Sequence, residues 1–223
     1  MQIEKYMENL SLLAWKNAQD YNMDATFSNA SLFSISDVQG FCGEKNNILY
    51  IAFQGTDGWE DVKDDLTFKK IDIGNGIKIH EGFYKQYKEV ETFLIDKVKT
   101  YNSVIFCGFS LGSSIATIAA YFIKQKYFNT KEIGCVLFAS PKVGNANFVK
   151  AFNDSAIAIK HYRYKNDIIP RVPYSILGYR YLLKPTEFGV YKWYEYLYYP
   201  IVKLFGNPFD HTPSNYMTFK AGE

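Results

Sequence analysis

Residues 103–112 read SVIFCGFSLG, and this short stretch decides the fold that we expect for the chain. Its first residues are almost wholly apolar, as in a strand that is buried on both faces of a sheet. Gly108, Ser110 and Gly112 then form the pattern G-x-S-x-G, and an apolar stripe at helical spacing follows over 111–125. Strand, sharp turn and helix in this order form the setting of a serine nucleophile above a parallel sheet.

The glycines of this pattern have a steric reason. The turn is so sharp that a side chain two residues before or after Ser110 would collide with neighbouring backbone. The Ser110 hydroxyl would then lie at a helix N-terminus, where the helix dipole favours developing negative charge. The alternative is that Ser110 only caps the helix and that the glycines only permit close packing. The strand and the helix on either side favour the nucleophile.

Strands and helices alternate through the middle of the chain, which favours a mostly parallel sheet covered by helices. Together with the G-x-S-x-G turn between a strand and a helix, this predicts an α/β-hydrolase-type fold with helices on both faces of the sheet. An amphipathic helix is also expected within residues 1–20, where apolar side chains recur at helical spacing. No repeat or break in composition divides the chain, so we expect a single domain over residues 1–223. The further predicted elements are a hairpin of 33–41 and 48–54, helix 82–100, strand 133–139, a helix near 145–153 and strand 157–164.

Composition excludes several classes of function. The formal net charge is only +2, which gives no electrostatic case for binding nucleic acid or an anionic membrane surface. Cys42, Cys107 and Cys135 are an odd set without C-x-x-C spacing, so neither a disulfide framework nor a zinc site is expected. Charged residues interrupt positions 1–20, and no apolar run reaches ~18 residues. We therefore expect a cytoplasmic protein, or a secreted one if a signal has been removed.

A serine nucleophile needs a base, and the chain has three histidines. His211 lies in the C-terminal loop NPFDHTP, which suits a base that must reach the top of the sheet. His161 falls inside a predicted strand and is expected to be a core or edge histidine with a satisfied hydrogen bond. His80 precedes Ser110, whereas hydrolases of this fold have the order Ser, acid, His. We therefore predict His211 as the base.

The acid that orients the base is predicted to be Asp167, just after a strand, because open α/β sheets build their sites at strand C-termini. Asp210 adjoins His211, and neighbouring side chains usually diverge. Asp154 precedes the strand. The alternative for Asp167 is a turn-forming role through a local hydrogen bond to backbone.

Two backbone regions are predicted to form the oxyanion hole. One donor is the N–H of Leu111, the residue after the nucleophile. The other is Thr56, which follows the strand 48–54 and offers both an N–H and a hydroxyl. An ordinary strand-ending turn is the alternative for Gly55 and Thr56.

Taken together, these segments resemble the class 3 lipase family, the fungal-type triacylglycerol lipases and their relatives, over roughly residues 48–216. The resemblance implies an α/β-hydrolase sheet, ester hydrolysis without a cofactor or metal, Asp167 and His211 as acid and base, and Thr56 as an oxyanion residue. The similar blocks, in chain order, are FQGT at 53–56, DL at 65–66, HEGF at 80–83, GFSLG at 108–112, ASPKVGN at 139–145, NDIIPRVP at 166–173 and DH at 210–211.

Three positions depart from the family pattern. Gln54 stands where the family has Arg, Phe109 where it has His, and Ser113 where a second Gly usually follows the motif. None of these removes a catalytic group. Phe109 changes the wall beside the nucleophile, so we include it among the candidate substrate-contacting residues.

Two segments are candidates for transient contact with a lipid interface. Residues 57–65 occupy the place of the family's lid, with Trp59 as their one large apolar side chain; the alternative is that Trp59 packs into the domain core. Residues 188–205 are rich in Tyr, Trp and Phe, and the favoured alternative is a helix packed on the sheet.

The expected function is hydrolysis of carboxylic esters, lipid esters in particular, with no obligate protein partner. A phospholipase or acyltransferase that uses the same residues is an alternative. A non-catalytic binding protein on the same fold is another, and the presence of Ser110, Asp167 and His211 together argues against it.

Overall fold

The computed structural model describes residues 27–55, 68–191, 199, 203–204 and 206–216. The helices within these ranges are α1 (Glu81–Val98), α2 (Leu111–Phe122), α3 (Ala146–Asp154) and the short α4 (Pro213–Tyr216). The strands are β1 (Ser28–Ile35), β2 (Val38–Lys45), β3 (Ile48–Phe53), β4 (Lys70–Asp72), β5 (Lys78–His80), β6 (Ser103–Phe109), β7 (Glu132–Phe138), β8 (Ala158–Tyr164) and β9 (Thr186–Phe188).

The main sheet has the order β1-β2-β3-β6-β7-β8-β9, and β4 pairs with β5 in a separate ribbon. The pairs β1–β2 and β2–β3 are antiparallel, whereas every pair from β3 to β9 is parallel. The central strand β6 therefore carries the segment 103–109 between two parallel neighbours. This arrangement confirms the predicted mostly parallel α/β sheet with the G-x-S-x-G turn after its central strand.

Each face of the sheet has its own apolar core, because side chains alternate along a strand. On one face Val104 and Phe106 of β6 pack with residues from α1, α2 and α3. On the other face Ile105, Cys107 and Phe109 pack with a second cluster that includes Tyr216 of α4. Within the described residues, helical segments thus cover both faces, with the longer helices on the first.

The predicted hairpin differs from the structure in its first strand. Residues 33–41 do not form one strand; β1 ends at Ile35, the chain turns through Ser36 at φ 50°, and β2 begins at Val38. The sequence offers no Gly or Asn at the turn, which are the usual signals for positive φ, so the break was missed. The turn between β2 and β3 does carry such a signal, since Asn46 and Asn47 both have positive φ.

The predicted helices and later strands agree with the structure to within a few residues. Helix α1 begins after His80, whose Nδ1 accepts a hydrogen bond from the Phe83 N–H at 3.4 Å. Helix α3 begins after Asn145, whose side chain accepts one from the Phe148 N–H at 3.0 Å. The helix expected within residues 1–20 lies outside the described residues. In the part that is described, no helix has the length and apolar character needed to cross a membrane.

Candidate active site

Ser110 occupies a strained turn between β6 and α2. Its backbone has φ 52° and ψ −121°, and its side chain makes no hydrogen bond that caps the helix. A Cβ atom on Gly108 would lie 2.3 Å from the backbone carbonyl carbon of Gly112, and one on Gly112 would lie 2.3 Å from the Phe53 oxygen. The steric interpretation of both glycines is confirmed, and simple helix capping by Ser110 is not observed.

His211 lies between Ser110 and Asp167. Its Nε2 is 2.9 Å from the Ser110 Oγ, and its Nδ1 is 2.8 Å from the Asp167 Oδ2. Asp167 is completely buried and His211 is nearly so. Because the ionised carboxylate can only accept a hydrogen bond, Nδ1 donates to it, and Nε2 is left to accept from the Ser110 hydroxyl. The structure therefore brings together the three residues that the sequence singled out.

The two oxygens of Asp167 have different partners. Oδ1 accepts a hydrogen bond from the Ile169 N–H at 2.8 Å, which is the local turn considered as the alternative for this residue. Oδ2 faces His211. The turn and the contact with the base coexist, since the first holds the carboxylate in the orientation that the second requires.

Hydrogen bonds join the loop that carries Asp167 to the loop that carries His211. The Asn207 N–H donates to the Asn166 oxygen at 2.7 Å, and the Asn166 N–H donates to the Asp210 Oδ2 at 3.1 Å. Asp210 therefore directs a carboxylate oxygen at the backbone beside Asp167. This agrees with the expectation that neighbouring side chains diverge.

Tyr216 is a residue of the site that the sequence reasoning missed. Its hydroxyl donates to the Asp167 Oδ2 at 2.5 Å and accepts from the Tyr164 N–H at 3.0 Å. Burial, followed by the charge of Asp167, raises the pKa of Tyr216 well above its usual value, so the hydroxyl stays protonated and can donate. A Tyr five residues after His211 in a chain with 19 tyrosines gave no distinguishing signal.

The other two histidines have structural surroundings. His161 Nδ1 lies 3.1 Å from the Leu183 oxygen, and its Nε2 accepts from the Ser140 N–H at 3.2 Å, so both ring nitrogens have partners. His80 caps α1 and stacks on the Phe83 ring at 3.9 Å between centroids. Burial lowers the pKa of each of these histidines to about 4. Both are therefore neutral at pH 7.

The depressed pKa of His161 predicts a loss of stability in mild acid. The unfolded chain takes up a proton near pH 6.5, whereas the folded protein does so only near 4, so the free energy of unfolding falls as the pH falls between these values. For this one group we expect a loss of about 2 kcal/mol between pH 7 and pH 5. Urea denaturation of wild type and His161→Gln at both pH values measures it. Equal losses in the two proteins would contradict the prediction, because His80 contributes equally to both.

The oxyanion candidates are only partly described. Leu111 is the first residue of α2, and N–H groups in the first turn of a helix have no acceptor within the helix. Gly55 lies against the nucleophile turn, since a Cβ there would approach the Phe109 oxygen to 2.6 Å. Thr56 follows it directly but lies outside the described residues, as do Trp59 and all of 57–65. The tyrosine-rich segment 188–205 is described only in part.

The two nearby departures from the family pattern have clear places. Phe109 is almost fully buried, and its ring lies parallel to that of His211, with centroids 5.0 Å apart and 12° between the planes. Phe109 therefore lies against one face of the His211 ring. Ser113 is fully buried; its Oγ donates to the Phe138 oxygen at 2.9 Å and contacts the Gly108 oxygen, so it joins α2 to the ends of β6 and β7.

The arrangement can carry proton transfer from a hydroxyl to a buried imidazole held in one tautomer. Within the residues described, no three His, Cys, Asp or Glu side chains group so that they could hold a metal ion.

Comparison with known proteins places the chain in a family. The profile of the class 3 lipases, Lipase (class 3), matches residues 50–176, more than half of the chain. A lipase of Rhizopus niveus is 28% identical over 158 residues, which cover 65% of this chain and 40% of the relative. The secreted mono- and diacylglycerol lipase A of Penicillium cyclopium is 27% identical over 157 residues, covering 66% of this chain and 50% of the relative.

A solved structure shares the fold over most of its length. It is a triacylglycerol lipase whose catalytic centre is described as a serine protease triad; the TM-score is 0.73 at 21% identity, covering 93% of this chain and 91% of that one. The chain spans two fifths to one half of the length of the two relatives named above. Because the family profile covers more than half of the residues, including the turn at Ser110 and the Asp167 loop, the chain belongs to the class 3 lipase family.

Proposed function

We propose that the protein hydrolyses carboxylic esters, with Ser110 as nucleophile, His211 as base and Asp167 as the acid that orients it. The observation that carries this proposal is the single line of contacts Ser110 Oγ–His211 Nε2 (2.9 Å) and His211 Nδ1–Asp167 Oδ2 (2.8 Å). The names of the relatives, lipase and mono- and diacylglycerol lipase, support the same class of reaction.

The proposed mechanism follows from these contacts. His211 Nε2 takes the proton of Ser110 as Oγ attacks the ester carbonyl, and Asp167 stabilises the imidazolium that forms. The N–H groups of Leu111 and Thr56 donate hydrogen bonds to the carbonyl oxygen as negative charge develops on it. His211 then gives its proton to the departing alcohol, and water activated by His211 releases the acid from Ser110.

Lipid esters are the substrates that we propose. Large apolar side chains stand exposed near the site: Phe209 is 82% exposed and lies two residues before His211, and Leu204 is 71% exposed. The Leu204 oxygen accepts a hydrogen bond from Arg171, four residues after Asp167. An exposed apolar side chain so close to the base in the chain, as Phe209 is, suits contact with an apolar substrate. Trp59 is proposed to add to this contact as part of a lid.

The cytoplasmic location expected from residues 1–20 finds no support among the relatives. The Penicillium relative is named as secreted, which favours the alternative that this protein is exported.

A panel of esters tests the proposed function. Soluble p-nitrophenyl esters of two to four carbons, emulsified diacylglycerol and triacylglycerol, and phosphatidylcholine vesicles would be assayed on wild type and on Ser110→Ala. We expect wild type to hydrolyse the acylglycerols faster once they form an interface, with no reaction in the variant. Preference for phosphatidylcholine would indicate a phospholipase. Absence of both ester hydrolysis and fluorophosphonate labelling would refute the hydrolase.

A further inference from the structure

Phe109 is held rigidly beside the base. It is the last residue of β6 and pairs with Phe138 of β7, so its position is fixed by the centre of the parallel sheet. Its ring is 5.0 Å from that of His211 and nearly parallel to it, and it meets Tyr216 edge-on at 5.1 Å. Phe109 thus touches both the proposed base and the tyrosine that donates to Asp167.

The hydrogen bonds of His211 leave one motion poorly restrained. These hydrogen bonds fix the positions of the two ring nitrogens. They only weakly resist rotation of the ring about the line from Ser110 Oγ to Asp167 Oδ2. A flat ring packed against one face opposes that rotation, and stacked aromatic pairs have a preferred geometry. A side chain on a central strand supplies a more rigid support than one on a loop.

The packing of Phe109 on the His211 ring matters most after Ser110 has been acylated. The Ser110 Oγ is then an ester oxygen without a proton, and His211 loses its hydrogen-bond donor on that side. In deacylation a bond forms between the water oxygen and the acyl carbon, and the water proton passes to Nε2. The bond from the acyl carbon to Oγ then breaks, and Nε2 returns the proton to Oγ. During this half of the cycle, the contacts with Asp167 and Phe109 are the ones among the described residues that still hold the His211 ring.

We propose that Phe109 is a positioning residue, which fixes the plane of His211 chiefly for deacylation. This proposal rests on the hydrolase function proposed above. The family pattern has His at this position, so the residue before the nucleophile has a flat ring both in the family pattern and in this chain.

Rapid mixing with p-nitrophenyl butyrate tests the proposal in wild type, Phe109→Leu and Phe109→His. Phe109→Leu keeps an apolar side chain but removes the flat face. We expect kcat to fall about tenfold, because small misplacement of a catalytic group is costly. KM should fall with kcat, so kcat/KM changes little, and a burst of about one p-nitrophenolate per active site should precede the slow steady state. Phe109→His should restore most of kcat.

Two further variants separate positioning from loss of packing. Phe106→Leu is the matched control, since Phe106 is a fully buried phenylalanine of the same strand that packs on the opposite face. It should lower the melting temperature and leave kcat per active site unchanged. Phe109→Met also removes the ring. It should show the kinetics expected of Phe109→Leu, and it takes the place of that variant if Phe109→Leu does not fold.

Several results would overturn the proposal. Active sites are counted by fluorophosphonate titration, so that misfolded protein does not enter the rates. An unchanged kcat in Phe109→Leu, or a fall in kcat at constant KM that Phe109→His shares equally, means that Phe109 only fills space. A wild type that neither hydrolyses the ester nor reacts with fluorophosphonate would refute the hydrolase and this proposal together, whereas an active wild type with a normal Phe109→Leu would refute this proposal alone.

Discussion

Ser110→Ala is expected to lower kcat on a soluble ester by about 10⁶-fold, because it removes the only atom proposed to form the acyl-enzyme. The loss should appear in kcat with the protein folded, since Ser110 makes no helix-capping bond whose removal would weaken α2. The measurement is the steady-state rate on p-nitrophenyl butyrate, together with fluorophosphonate labelling and mass spectrometry of the labelled peptide. The label should be found on Ser110 in wild type and be absent from the variant.

Ser114→Ala is the matched control for this substitution. Ser114 lies in α2, the helix that follows Ser110, and is fully buried, and its hydroxyl has no hydrogen-bond partner among the described residues. Its replacement should therefore change neither the rate nor the labelling. Retention of most esterase activity in Ser110→Ala would show that another residue is the nucleophile.

His211→Ala is expected to cost as much as Ser110→Ala, again about 10⁶-fold in kcat. Without the imidazole, Ser110 loses the described acceptor of its proton, and Asp167 Oδ2 keeps the donation from Tyr216 but loses that from His211. The double variant Ser110→Ala/His211→Ala should be no slower than either single variant, because the two residues act as a unit and their effects do not add.

The two remaining histidines provide the contrast. His161→Ala should keep kcat per active site near wild type and lower the free energy of unfolding by about 1–3 kcal/mol, since it removes the partner of the buried Ser140 N–H and of the part-buried Leu183 oxygen. His80→Ala should likewise act on stability through the start of α1. Full activity in His211→Ala with its loss in His161→Ala would reverse the assignment of the base.

The amino-acid sequence by itself determined the central part of the fold. The apolar run 103–107, the glycines around Ser110 and the helical stripe after it are local patterns, and local patterns depend on steric rules that act within a few residues. The positions of Asp167 and His211 were predicted in a similar way, from a strand end and from a C-terminal loop, with chain order excluding His80. Their catalytic roles remain predictions until the variants are measured.

Only the tertiary structure decided how these residues meet. Ser110 and His211 are 101 residues apart in the chain, and Asp167 and Tyr216 are 49 apart, so no local periodicity relates them. The stacking of Phe109 on His211, and the donation from Tyr216 to Asp167, depend on where the loop after β8 and the C-terminal segment pack against the end of β6. Those distances are set by packing of the whole sheet, which a pattern of neighbouring residues does not encode.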